Sequence, residues 1–390
     1  MNYLKKLLEG VEVEWTVLGN SSFIEIANNG RKPVKSDLRI AGEIPYYGAN
    51  NIQDYVEGFT HNGIYVLIAE DGTQSIENYS IQWATGKFWA NNHVHVLSGK
   101  GELDSRFLYH YLKQFNFIPF LSGGGRSKLT KGELEKIPIP IPPLSVQAEI
   151  VRILDTFTEL TAELTAELTA RKKQYSYYRE QLLSFEDGKV EWKALGELTS
   201  LITKGTTPKN YTDTGIAFIK TEAFDGTYIN TNKLSFIDEE THHKELKRSI
   251  LNHNDILITI AGATIGKCAI VPKEILPANT NQALAIIRLN ADVNLKYVFH
   301  LIKSNYLRKY IEQNIKGSAQ PNLNLEQLNN FIIPYPSPEE QERIVSILDK
   351  FDILTTSISE GLPKEIELRK KQYEYYRDLL LTFPKNNLES

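Results

Sequence analysis

The sequence predicts an α+β protein: two mixed α/β domains joined by two long helical regions that pack antiparallel, in coiled-coil fashion, about a pseudo-twofold axis with circular order. Three observations predict it. A length of 390 residues exceeds the usual size of one domain, so two are expected. The chain repeats itself at about half its length. Between the repeats lies a stretch free of Pro and Gly with helical apolar spacing, unlike the sequence on either side.

The repeat is read directly. Residues 137–155, "IPIPIPPLSVQAEIVRILD", return as 331–349, "FIIPYPSPEEQERIVSILD", an offset of 194. "RKKQYSYYR" at 171–179 returns as "RKKQYEYYR" at 369–377, an offset of 198, so the second copy is four residues longer between these blocks. "YLKKLLEGVEVEWTVLG" near the start echoes "YREQLLSFEDGKVEWKALG" at 178–196. The start of the chain thus looks like the end of a repeat that begins at its other terminus. The expected parts are a helical stub at 1–14, a domain at 15–143, a helical spacer at 144–190, a second domain at 191–337 and a helical region at 338–390.

In the spacer, Ile150, Leu154, Phe157, Leu160, Leu164 and Leu168 recur at steps of three or four. Ser145, after Pro142-Pro143, is the expected N-cap. Some 40 residues make a rod of roughly 60 Å, and one narrow stripe on it needs a partner helix. The second copy supplies one through Ile344, Leu348, Phe351, Leu354 and Ile358, then Ile366 and Tyr373 onward, with Gly361-Leu362-Pro363 expected to break or kink it. The spacer also holds an exact tetrad repeat, Thr161-Ala162-Glu163-Leu164 followed by Thr165-Ala166-Glu167-Leu168.

In the two domains, apolar runs at 64–72 and 93–99, and at 255–262, 267–272 and 283–289, read as strands; 103–116 and 293–311 read as helical. Near-identical helices flanking globular parts that differ almost everywhere suggest a constant scaffold carrying two variable readers.

Composition narrows the classes. Hydrophobic content of 41% and charged content of 24% are those of an ordinary globular protein. No run approaches the roughly 18 apolar residues of a membrane span, and the N-terminus lacks a signal peptide, so a cytoplasmic location is expected. The single cysteine, Cys268, excludes an internal disulfide and a cysteine-cluster metal site. A net charge of -4 argues against coating nucleic acid by bulk charge, but not against local phosphate contacts. No Asn/Asp-Pro-Pro-aromatic motif of an adenine methyltransferase is present. "GATIGKC" at 262–268 departs from a Walker A loop in spacing and in its final residue.

Together, "IPIPIPP...QAEIVRILD", "YPSPEEQERIVSILD", the two RKKQY blocks, the TAEL repeat, "IPYYGA", "LIAEDG", "GKFWANNHVHVL", "FIKTEAF" and "AGATIGK...ANTNQALAIIRL" resemble the specificity subunit of type I restriction-modification enzymes, over essentially the whole chain. The resemblance implies two target-recognition domains, each reading one half of a split sequence in double-stranded DNA. It also implies two methyltransferase subunits docked on the helices, and motor-nuclease (restriction) subunits. No catalytic residue, metal or cofactor is expected on this chain; S-adenosylmethionine, ATP and Mg belong to the partners. Two rival readings are a self-contained methyltransferase or nuclease with degenerate motifs, and a coiled-coil scaffold without DNA specificity.

Base edges are read mostly by Arg, Lys, Asn and Gln, and phosphates by other polar and basic groups. By composition and position the first-domain candidates are Tyr47, Asn50, Asn51, Gln74, Asn91, Asn92, His93, Arg126, Ser127 and Lys128. Those of the second are Lys204, Thr206, Thr207, Lys209, Lys220, Thr221, Asn279, Asn281, Gln282, Ser318, Gln320, Asn322 and Asn324. For Asn91, Asn92 and 279–282 the alternative is turn capping; for Tyr47 it is a place in the core.

Overall fold

The computed structural model describes residues 7, 9–123, 127–186, 188–262, 264–314, 322–357 and 359–383. It is an α+β protein in two compact units, Met1–Leu164 with Ile366–Ser390, and Thr165–Glu365. The division falls between the two TAEL tetrads.

In the first unit the strands are β1 (Glu14–Val17), β2 (Ile24–Ile26), β3 (Ala41–Gly48), β4 (Asn51–Val56), β5 (His61–Ala69), β6 (Ile81–Ala90), β7 (Val94–Gly99) and β8 (Pro138–Ile141). Six form one sheet in the order β2-β7-β5-β6-β3-β4, and β1 pairs with β8 apart from it. The apolar run of β5 is buried from Val66 to Ala69 because the sheet is covered by helix α1 (Ser105–Gln114), capped by Asp104, whose carboxylate accepts from the N–H groups of Arg106 and Phe107. A one-turn helix α2 (Lys131–Leu134) follows. The core joins Leu18, Phe107 and Leu108 to Ile150 and Leu154 of α3 (Leu144–Leu182) and to Leu380 and Leu381 near the C-terminus.

Helix α3 is continuous over its 39 residues. It starts at Leu144, so Ser145 lies in the first turn and is not the cap. The N-terminal anchor is Gln147, whose amide donates to the carbonyls of Pro142 and Glu102, each at 2.7 Å. No residue of the tetrads is fully buried; only Thr161, Leu164 and Leu168 are even half-buried.

In the second unit the strands are β9 (Glu191–Ala194), β10 (Thr199–Lys204), β11 (Ile216–Ile219), β12 (Phe224–Asp225), β13 (Tyr228–Ile229), β14 (Ser235–Ile237), β15 (Ile256–Thr259), β16 (Cys268–Ile270), β17 (Ala278–Thr280), β18 (Leu284–Leu289) and β19 (Ile332–Tyr335). They form sheets in the orders β10-β18-β15-β16 and β14-β11-β17, with β9 on β19 and β12 on β13. The predicted helix at 293–311 is two, α4 (Leu295–Ile302) and α5 (Asn305–Asn314), because Ser304 turns its hydroxyl to the Leu301 carbonyl and caps the next helix. Then come α6 (Leu325–Asn329), α7 (Pro338–Thr356) and α8 (Leu362–Leu381).

The expected interruption is a full break. Helix α7 ends at Thr356, and Gly361 takes φ +84, a left-handed backbone that suits glycine. Ile358 lies outside the described residues. The duplication persists in detail: Trp15 opposes Pro140, and Trp192 opposes Pro334. Gln341, at the Gln147 position, donates to the Pro336 carbonyl at 2.9 Å.

Candidate nucleic-acid interface

In the first unit, the chain leaving β5 meets the segment before α2. Leu129 N–H donates to the Glu70 carbonyl at 2.7 Å, and Asp71 bridges to Lys128. Around this junction lies an open cleft of about 670 Å³, lined by Asn50, Gln53, Asp71, Gln74, His93, Ser127 and Lys128. Five of these residues, Asn50, Gln74, His93, Ser127 and Lys128, are candidates from four separate stretches of sequence, which the fold brings to one cleft.

Charges fix the rim. Glu70 meets Arg31 at 2.6 Å and Lys128 at 3.1 Å. Burial alone would raise its carboxyl, but hydrogen bonds from Arg31 and Lys128 outweigh this and hold it below the usual carboxylate range. His93 pairs with Asp71 at 2.5 Å. Behind them His95 is fully buried, and desolvation pushes its pKa below the ordinary value, so it stays neutral between Asn28 and the Leu129 carbonyl.

Several first-domain candidates serve the fold. Tyr47 is a core residue packed edge-on to Phe88, which removes it from base stacking. Asn91 is buried, and its side chain accepts the His93 N–H at 2.8 Å; it shapes the turn and does not reach DNA. Asn50 donates to the Gly72 carbonyl at 2.6 Å and accepts from Gln74 N–H at 2.9 Å, tying two cleft loops together. Asn51 is exposed, at φ 142, with its side chain on Ile52 N–H. Gln74, Asn92, His93 and Lys128 remain exposed and Ser127 half-buried. Arg126 lies outside the described residues.

The second domain repeats the frame with other side chains. Leu323 N–H donates to the Ile260 carbonyl at 2.8 Å, and Ala261 bridges to Asn322, matching Leu129, Glu70, Asp71 and Lys128 in turn. Asn281 accepts the Ala283 N–H at 3.2 Å as Asn91 does that of His93, so it too is a turn former. Asn279 is fully buried against His242, the Leu246 carbonyl and Ser249, which excludes it from DNA contact. Asn324 caps α6 in a capping box with Gln327, which engages its side-chain oxygen and leaves the residue exposed.

The other exposed second-domain candidates are Asn322, Lys204, Thr207 with its partner Gln282, and Lys209, which reaches Glu245 at 3.4 Å. Lys220 is half-buried over the Tyr211 ring at 4.2 Å, and Thr206 and Thr221 are half-buried as well. Ser318 and Gln320 lie outside the described residues. Sequence reasoning missed Arg31, Gln53, Glu70 and Asp71. The acidic pair at a strand end, before Gly72, was the one available signal. Arg31 gave none, because its partner is 39 residues away.

The RKKQYxYYR blocks use their tyrosines alike. Tyr175 is buried, stacked on Phe351, and Tyr373 approaches His110 at 3.5 Å. The third tyrosine of each block stacks on a phenylalanine, Tyr178 on Phe351 and Tyr376 on Phe157. The middle one projects in both, with Tyr177 61% and Tyr375 63% exposed.

The type I restriction modification DNA specificity domain model matches residues 12–171 and again 188–368. The chain belongs to the type I specificity subunits. It is 50% identical over 395 residues to a Haemophilus influenzae protein assigned as a type I restriction enzyme specificity subunit, covering 98% of each chain. It is 37% identical to the EcoR124I/EcoR124II specificity subunit of Escherichia coli, covering 99% of this chain and 98% of that one. The fold matches the crystal structure of the type I S subunit of M. genitalium with a TM-score of 0.62 at 18% identity, over 99% of this chain and 100% of the other. As a specificity subunit it is a non-catalytic DNA-recognition chain with two tandem recognition domains. Its one thiol agrees with an inert role, since burial pushes Cys268 up to about 12. No helix among the described residues is long and apolar enough to cross a membrane.

Proposed function

We propose that each recognition domain reads one block of a two-part duplex DNA target through its exposed cleft and junction side chains, and that the helical regions set the unspecified gap between blocks. Two methyltransferase subunits dock on the two RKKQYxYYR segments, and motor-nuclease subunits complete the enzyme in the cytoplasm. S-adenosylmethionine, ATP and Mg are held by those partners. One observation carries the reading: the same loop junction holds Asp71 and Lys128 in one domain and Ala261 and Asn322 in the other. A shared frame with unlike donors and acceptors is what two readers of different bases require.

The test is to co-express the chain with its methyltransferase and map methylated bases genome-wide. Two short defined blocks around a fixed gap are expected. Methylation without the chain, or a continuous motif, would refute the proposal.

A further inference from the structure

The second recognition domain holds a cleft that the reading of bases leaves unused. It has a volume of about 680 Å³ and is walled by the Gly226–Thr227 turn, residues 265–268 at the start of β16, and residues 302–312 of α4 and α5. Four cations line it, Arg179, Lys267, Lys303 and Arg308, against one carboxylate, Glu312. In a chain of net charge -4 this is a local reversal of sign.

The cations divide by depth. Lys303 is only 10% exposed and is held by Asp352 at 2.9 Å. The Arg179 side chain is 17% exposed; among the described residues its Nε has no hydrogen-bond partner, and it approaches the Glu180 carboxylate at 3.6 Å. At the mouth, Arg308 is 75% exposed and shares Glu312 at 3.0 Å, and Lys267 is exposed with no ion pair among the described residues. Gly266 keeps the wall close, since a Cβ there would lie 3.1 Å from Ile311.

We propose that this cleft grips a backbone phosphate of the duplex a few base pairs outside the block that the second domain reads. The proposal rests on the reading of that domain as a DNA binder. One hairpin links the two places. The chain leaving β15 bridges Asn322 at Ala261, and it returns at Lys267, whose carbonyl accepts the Thr259 N–H at 2.8 Å. From strand spacing, Lys267 lies about 10 Å from Asn322, or about three base-pair steps at 3.4 Å. A phosphodiester offers two non-bridging oxygens that share one negative charge: the exposed Lys267 and Arg308 supply direct donors, and Arg179 and Lys303, beside Glu180 and Asp352, form the polar wall behind them.

The test uses the full chain in complex with its methyltransferase. A duplex of about 30 base pairs carrying the methylated motif, and a scrambled duplex, are titrated over a range of salt concentrations. The variants are Lys267→Gln with Arg308→Gln, the charge-keeping Lys267→Arg with Arg308→Lys, and Lys273→Gln as a control on the same domain. Each lost phosphate contact flattens the plot of log affinity against log salt by about 0.9. The neutral double variant should lose close to one unit of slope on both duplexes and keep the same cognate-to-scrambled ratio and the same methylated motif. The charge-keeping pair should retain the wild-type slope. A slope equal to that of wild type and the control, or a slope lost in the charge-keeping pair as well, overturns the proposal. Equal wild-type binding of the two duplexes would instead overturn the underlying DNA-recognition reading.

Discussion

His110 donates from Nε2 to Asp155 at 2.8 Å, across from the first recognition domain to helix α3. His110 is fully buried, and Arg106 shares the same carboxylate at 2.9 Å. The Tyr373 hydroxyl stands 3.5 Å from the other ring nitrogen. This fixes a neutral imidazole that donates at one end and accepts at the other. His300 and Asp349 repeat the bond at 2.7 Å in the second unit. Replacing Asp155 by Ala strands a buried donor and a guanidinium, so the unit should lose about 1–3 kcal/mol, read as a lower urea midpoint. Asp155→Asn should lose less.

The same pair sets an acid limit. Desolvation holds His110 below its ordinary pKa, and although burial alone would raise Asp155, hydrogen bonds from Arg106 and His110 hold it below the usual range. Both folded values are depressed. For the histidine, stability is complete above its unfolded pKa of about 6.5 and is lost as pH falls through the folded value. For Asp155, and for Asp349, where the His300 hydrogen bond lowers the carboxyl, the loss comes below about pH 4. Melting temperature should therefore start to fall just below about pH 6.5. His110→Gln should make that first decline shallower, the remainder coming from the buried His95, and keep a second decline carried by Asp349 and by Asp155 with Arg106; an unchanged profile would refute the assignment.

Much of this was legible because repetition is a sequence property. The offsets of 194 and 198 predicted two domains and paired helices, and the residues that make the frame, Trp15 and Trp192 or Gln147 and Gln341, occupy matching places. Less legible was the use of each polar residue. Asn91 and Asn279 have the composition of readers, but the fold spends them on a turn and on a buried histidine. Composition cannot distinguish an amide that faces solvent from one that satisfies backbone across tens of residues.

The two projecting tyrosines give a stoichiometric expectation. Tyr177 and Tyr375 are exposed aromatics at the same place in two copies of one motif, and such residues commonly anchor interfaces. Tyr177→Ala should remove one methyltransferase subunit from the complex and Tyr375→Ala the other, with the double variant binding none. Native mass spectrometry reads this directly. Two subunits retained by the double variant would exclude these anchors.

Half-site recognition should separate by domain. Gln74→Ala touches the first cleft alone and Asn322→Ala the second junction alone. Each should relax one block of the methylated motif, by about 1–3 kcal/mol of discrimination at the affected base, and leave the other block intact. A methylome in which either variant altered both blocks would contradict independent reading.

The tetrads divide the two units, at Leu164 and Thr165, on a continuous helix with no fully buried residue in the repeat. A tetrad can therefore be added or removed without disturbing a core. Four residues lengthen a helix by about 6 Å and rotate the downstream chain by about 40°. B-DNA advances about 3.4 Å and turns about 35° per base pair, so the rotation matches one step and the rise lies between one and two. Deleting Thr165 to Leu168 should shorten the unspecified gap by about one base pair, and inserting a third exact copy should lengthen it by the same amount, with both defined blocks unchanged. Rotation decides between one and two, because a reader out of phase with the groove meets no base edges. A deletion variant that methylates the original spacing would show that the helix is not the ruler.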